Sequence, residues 1–106
     1  MKSQFCVFRN PAADSREATP YLLDVQSDLL DQLATTVVVP LRPETALTGA
    51  RLGTLMPAFD IEGRRHVLVT TQLAGISRKQ LGARVCSLSA YRDEILSALD
   101  FLIAGI

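Results

Sequence analysis

Only the last segment of this chain repeats its apolar residues at helical spacing. Tyr91, Ile95, Ala98, Leu99, Leu102 and Ile106 fall on a single face, the pattern of an amphipathic helix, and Phe101 and Ile103 widen the stripe. Ser89 supplies an N-cap hydroxyl for the first turn. Asp93 and Glu94 suit the positive end of the helix dipole, and Gly105 is a natural stop. The spacing predicts a helix from about Ser89 to Ile103. Its end, Leu99 to Ile106, is apolar where chain ends usually fray into polar sequence. The segment is therefore expected to be covered by its own fold, by a second copy or by a partner.

Everything before that helix reads as short strands. Gln4 to Phe8 is a β-rich run, and Tyr21 to Gln26 alternates apolar and polar from Leu23 onward. Thr35 to Val39 is a concentrated β-branched run, expected to be the most buried strand. Pro40 lacks a donor for the ladder and should end that strand or mark an edge. Pro43 to Gly53 reads as loop, with Thr48-Gly49 as its turn signal. Met56 to Ile61 and Arg65 to Thr71 flank Glu62-Gly63 as a β-hairpin, with Gly63 free to take positive φ. Ala74 to Ser77 looks like a turn, and Leu81 to Cys86 like a strand broken by Gly82. The polar stretch from Asn10 to Pro20, bounded by prolines and without periodicity, predicts a long flexible loop, either a binding element or a tolerated insertion. Five or six short strands punctuated by Gly and Pro, then one helix, predict a small, strongly bent antiparallel sheet or barrel.

Length and charge narrow the function classes. A chain of 106 residues, 48% hydrophobic and 21% charged, makes one domain over residues 1–106. Eleven basic residues balance eleven acidic ones, so the basic excess of a dedicated nucleic-acid binder is missing. Nine of the basic residues are Arg, which suits forked contacts to carboxylate or phosphate. Cys6 and Cys86 lack metal-ligand spacing and read as buried reduced thiols. With no signal segment and no run of transmembrane length, a cytoplasmic protein without a membrane association is expected.

A search for reactive groups returns little. His66 is the single histidine, beside Arg64 and Arg65, and at the start of a strand it is expected at the surface or half-buried. Asp24, Asp28 and Asp31 are spaced like a helical carboxylate face, but their strand and turn setting favours solvated side chains. The six glycines never adopt phosphate-loop spacing. No catalytic residue, metal site or cofactor is expected, and the chain is read as a non-enzyme.

One block is more specific. Leu23-Asp24-Val25-Gln26-Ser27-Asp28-Leu29-Leu30, Val38-Val39-Pro40-Leu41, Leu55-Met56-Pro57, Thr70-Thr71 and Gly105-Ile106 resemble the CcdB family of plasmid and chromosomal toxins, in order and spacing, from about Tyr21 to the end. The resemblance implies an SH3-like barrel with a long C-terminal helix, the arrangement of the ribonuclease toxins MazF and Kid, and a homodimer. It implies binding to the DNA gyrase A subunit, trapping of its cleaved-DNA intermediate, and a role in plasmid maintenance. It also implies a CcdA-like antitoxin that wraps the dimer and joins it in transcription regulation of their operon, with operator DNA met only through that complex.

By the same resemblance the gyrase-facing residues are Asp100, Ile103, Ala104, Gly105 and Ile106, bordered by Leu29 and Leu30. The antitoxin would meet Arg9, Asn10 and Arg16 in one loop and Ala46, Leu47 and Arg51 in another. The chain departs from the family at Ala104, where the family carries a Trp over a gyrase Arg. Such a cation–π contact contributes about 0.5–2 kcal/mol. Asp100 and Ile103 replace the family's usual Asn and Phe. Two other readings stay open. One is a CcdB-like protein that binds antitoxin without poisoning gyrase. The other is an endoribonuclease on the same fold, for which His66 with Arg64, Arg65 or Arg78 would have to serve.

Overall fold

The computed structural model describes residues 2–47 and 53–105. Seven strands among them, β1 (Cys6–Arg9), β2 (Tyr21–Asp24), β3 (Thr35–Pro43), β4 (Ala58–Ile61), β5 (Arg64–Leu68), β6 (Ala74–Ser77) and β7 (Arg84–Ser87), precede a single α-helix, α1 (Arg92–Ala104). All pairings are antiparallel, in the order β4-β5-β3-β2-β1-β7, with β6 also on β3. The expected bent sheet with a closing helix is present as a curled half-barrel.

Strand β3 organises the curl. It has β2 along one edge, through Asp24↔Val38 to Tyr21↔Leu41. The other edge is divided: Thr35 to Val38 pair with β6, and Leu41 to Pro43 pair with β5. Two strands that share one edge of a third must diverge, and the right-handed twist of each pair turns that divergence into curvature. Two expectations are corrected here. Ala74 to Ser77 is strand β6, not a turn. Pro40 does not end β3, which runs on to Pro43. The carbonyl of Pro40 accepts the Val69 N–H at 2.9 Å. A strand residue's N and O project to the same edge, so the missing donor of Pro40 falls in the gap between β6 and β5, where no ladder bond is lost.

The Glu62-Gly63 hairpin is present with shorter arms than expected: β4 begins at Ala58, β5 ends at Leu68, and Thr70–Gln72 is a 3-10 turn. Ile61 pairs with Arg64 across the hairpin, and both hairpin-turn residues have positive φ, +52° and +82°, as a two-residue type I′ turn requires. At Gly82 the chain leans on β1: its N–H donates to the Arg9 carbonyl at 2.9 Å, and a Cβ there would sit 2.6 Å from that oxygen. The strand Gly82 was expected to interrupt begins after it, at Arg84.

One face of the sheet and the inner side of α1 make the core: Val7, Leu23, Val39, Leu41, Phe59, Ile61 and Leu68 surround Ile95, with Leu96 and Leu99 packed at the margin. The helix begins later than expected. Ser89 to Tyr91 form a 3-10 turn, and Ser89 does not cap α1, whose N-cap position is Tyr91 without a side-chain bond. Instead the Ser87 hydroxyl accepts the Ser89 N–H at 3.2 Å. The far end is as expected: Gly105 is left-handed, φ +73°, and its N–H returns to the Phe101 carbonyl at 2.9 Å, an αL cap.

Candidate docking surface

The block Asp24-Val25-Gln26-Ser27-Asp28 is a scaffold in which each polar side chain has a defined partner. Asp24, expected to be solvated, is 0% exposed. Its Oδ1 accepts the Thr36 hydroxyl at 2.7 Å and the Gln26 N–H at 3.1 Å, and its Oδ2 accepts the Ser3 hydroxyl at 2.7 Å. The strand alternation that put Asp24 on the outer face was right, but the N-terminal segment covers that face. Gln26 imitates a strand residue: its side-chain oxygen accepts the Val37 N–H at 3.2 Å, and its amide donates to the Thr35 carbonyl at 3.2 Å. Ser27 caps a 3-10 turn by accepting the Leu29 N–H at 3.1 Å. Asp28 accepts the N–H groups of Ser3 and Gln4 at 2.9 and 3.0 Å. The Gln4 amide foremost, with that of Ser3 and the positive charge of the nearby Lys2, holds its carboxyl below the usual aspartate range. It too is therefore a fastener, not a solvated charge.

That scaffold lifts two leucines into solvent. Leu29 is 93% exposed and Leu30 47%, on a turn with no buried residue. A large aliphatic side chain held almost wholly in water forgoes about 1.5–3 kcal/mol of burial. The end of α1 makes a second such display. Asp100, Ile103 and Ala104 lie three and four residues apart on one face, all exposed, Ile103 at 82%. Gly105 is exposed beside them, while Phe101 and Leu102 on the flank are half-buried. The apolar helix end expected to be covered is not covered by its own fold as far as Gly105. Ile106 lies outside the described residues.

The residues assigned to an antitoxin fall in a different region. Arg9 is exposed at the end of β1, where its Nη2 donates to Glu62 Oε2 at 2.8 Å while the Tyr21 hydroxyl donates to Glu62 Oε1. The Tyr21 hydroxyl foremost, with Arg9, keeps the Glu62 carboxyl below its ordinary range, and Glu62 raises the Arg9 guanidinium. Asn10 is a structural knot: its amide nitrogen reaches Ser15 Oγ at 3.0 Å and the Thr19 carbonyl at 2.9 Å, and its oxygen accepts the Ala12 N–H at 3.1 Å.

With Asn10 N–H on the Pro20 carbonyl and helical bonds from Ser15, Arg16 and Thr19, the stretch expected to be a flexible loop is a compact, tied one. It walls a groove of about 490 Å³ over the outer sheet face, floored by Leu22, Val38, Pro40, Ala74 and Ile76. Arg16 is exposed on that loop. Ala46 ends a 3-10 turn at Glu44–Ala46, exposed, and Leu47 follows, half-buried. Arg51, like the Thr48-Gly49 turn signal, lies outside the described residues.

Of the nuclease candidates, His66 and Arg78 do not converge. His66 is buried, 4% exposed, a correction to its expected surface setting. Its ring meets Tyr21 edge-on at 4.9 Å, and Nδ1 lies 2.9 Å from the Arg64 carbonyl. His66 pairs with Pro43 at one end of β3 and Ser77, next to Arg78, pairs with Thr35 at the other, roughly 25 Å apart at about 3.3 Å per residue. Arg64 and Arg65 are exposed on the hairpin. Cys6 is buried, Cys86 half-buried, and both are free; burial foremost pushes the Cys86 thiol up, toward an unreactive state.

Solved structures with a similar fold superpose on this chain. An endoribonuclease in complex with its cognate antitoxin, from a mycobacterial species, matches with a TM-score of 0.73 at 17% identity, over 98% of this chain and 96% of that one. A structure described as an Mtb toxin matches at 0.68 and 15%, over 92% and 99%. The Mycobacterium tuberculosis toxin MazF-mt6 matches at 0.66 and 13%, over 79% and 85%. Identities this low show a common fold alone. The chain itself belongs to the CcdB family: the family model, described as CcdB protein, matches residues 4–105. No helix among the described residues is long and apolar enough to cross a membrane.

Proposed function

We propose that this protein is the toxin of a type II toxin–antitoxin pair, a homodimer that acts by docking rather than catalysis, with the DNA gyrase A subunit as its target. The observation that carries the reading is a pair of exposed apolar displays on ordered mounts, Leu29–Leu30 and Ile103–Gly105, in a CcdB-family chain. Dimerisation through the helix ends would double the second display, as an isologous contact does. Asp100 complements a basic partner. The groove beside Asn10 suits a CcdA-like antitoxin segment that lays apolar side chains on Leu22, Val38 and Ile76, with Arg9, Arg16, Ala46 and Leu47 as the contacts that the family resemblance assigns to it.

Ala104 favours a second reading, a CcdB-like protein that keeps its antitoxin and has lost gyrase poisoning. An aromatic or Arg anchor supplies much of the affinity of many interfaces, and this surface lacks one. Growth arrest and gyrase-linked DNA cleavage on expression of the wild-type chain and of Ala104→Trp separate the two. Trapped cleavage with the wild-type chain supports poisoning, and activity only in Ala104→Trp supports the second reading. Arrest with degraded RNA and intact gyrase function would instead make the protein a ribonuclease.

A further inference from the structure

The loop that presents Leu29 and Leu30 has no hydrophobic anchor of its own. From Leu29 to Thr35 every residue is exposed, and Leu33 adds a third outward leucine at 50%. Without buried apolar contacts a loop keeps one shape only through its hydrogen bonds. The first half has the Gln26, Ser27 and Asp28 fasteners. The second half has only its own turn bonds, Leu30 N–H to Ser27 O at 3.0 Å and Leu33 N–H to Leu30 O at 3.1 Å, and no side chain of the loop fastens it.

What holds the second half comes from across the sheet. Arg78, just past β6, donates from Nε to the Leu33 carbonyl at 2.7 Å and from Nη2 to the Leu30 carbonyl at 3.2 Å. Its backbone N–H donates to the Ala34 carbonyl at 3.0 Å. Its Nη1 stands 3.8 Å from the buried Asp24 Oδ2. One side chain thus ties both ends of the leucine turn to the carboxylate at the root of the scaffold. A guanidinium can do this because its fork is planar and carries five donors; an ammonium on a flexible stem cannot hold the same two carbonyls and the carboxylate in fixed directions.

We propose that Arg78 is a positioning residue for the docking surface, holding the loop so that Leu29, Leu30 and Leu33 face outward in one fixed arrangement. This rests on the docking reading above. Arg78 touches no target itself; it lowers the ordering cost that a loose loop would add on binding.

The test compares full-length wild-type chain, Arg78→Lys, Arg78→Ala, Leu29→Ala and the Arg78→Lys/Leu29→Ala double variant. Three readouts are taken: thermal melting, amide hydrogen exchange, and affinity for purified gyrase A subunit. Arg78→Lys keeps the charge near Asp24, so it is the variant of choice if Arg78→Ala does not fold. The expected result is exchange at the Leu30 and Leu33 amides at least tenfold faster in Arg78→Lys, with Val39 unchanged. Gyrase A affinity should fall about tenfold in Arg78→Lys and in Leu29→Ala, and the double variant should lose less than the product of the two. Unchanged exchange at Leu30 and Leu33 overturns the proposal. So does a looser loop with wild-type affinity, if Leu29→Ala has weakened binding. A wild-type chain with no affinity for gyrase A instead overturns the docking reading, and the role of Arg78 goes with it.

Discussion

A carboxylate buried under a short N-terminal segment does more to shape this molecule than any reactive group in it. Asp24 accepts from Thr36, Gln26 and Ser3, so Asp24→Ala leaves several covered donors without a partner. We expect a loss of about 1–3 kcal/mol, read from the midpoint of urea unfolding. Asp28 works at the same junction through charge. Its pKa is lowered in the folded state by the Gln4 and Ser3 amides and by Lys2. The stabilisation is therefore complete above the ordinary aspartate value of about 3.9 and disappears as pH falls through the lower folded value. Asp28→Asn should melt below the wild-type protein at neutral pH and converge with it in acid. A gap in melting temperature that stays constant with pH would contradict this.

At the level of elements, α1 divides its labour along its length. Ile95 is fully buried among Phe59, Ile61 and Leu41, and Ile103 stands out in water. Ile95→Ala should cost about 2–5 kcal/mol. Ile103→Ser should cost much less than Ile95→Ala on the same unfolding curves, its loss limited to the proposed dimer contact, while removing target binding. The helix and the hairpin were legible in the sequence because periodicity and a Gly-containing turn are local signals. Strand β6 was not: Ala74-Gly75-Ile76-Ser77 has turn composition, and its pairing is decided by the free edge of β3. Pro40 misled for the same reason, since the gap that tolerates it exists only once β5 and β6 are both in place. Asp24 was expected to be solvated and Arg78 entered only as a nuclease candidate, because the burial and distant carbonyls that give the two their roles leave no local signal. For Asn10 the signal was present, an Asn before Pro in a turn-rich stretch, but composition alone suggested flexibility.

Across the whole molecule, neutral charge, a modest core and two exposed apolar displays are what the proposed docking function requires. A domain of this size gains substantially from a subunit interface, and the proposed homodimer should appear as one species of twice the chain mass in light scattering, with Ile103→Asp shifting it toward monomer. The antitoxin groove and the helix end lie on different residues, so neutralisation and target binding are expected to be separable by mutation. Ile103→Ser should spare antitoxin binding, and Leu22→Asp in the groove floor should spare gyrase. The central claim is that the end of α1 docks on gyrase A. Calorimetric titration of purified gyrase A subunit with the wild-type chain, Ile103→Ser and Ala104→Trp tests it most directly. The account predicts measurable binding by the wild-type protein, none by Ile103→Ser, and an affinity at least tenfold tighter for Ala104→Trp, the gain expected when about 1.4 kcal/mol of aromatic contact is restored. Equal affinity in all three, or no binding by any of them, would contradict it.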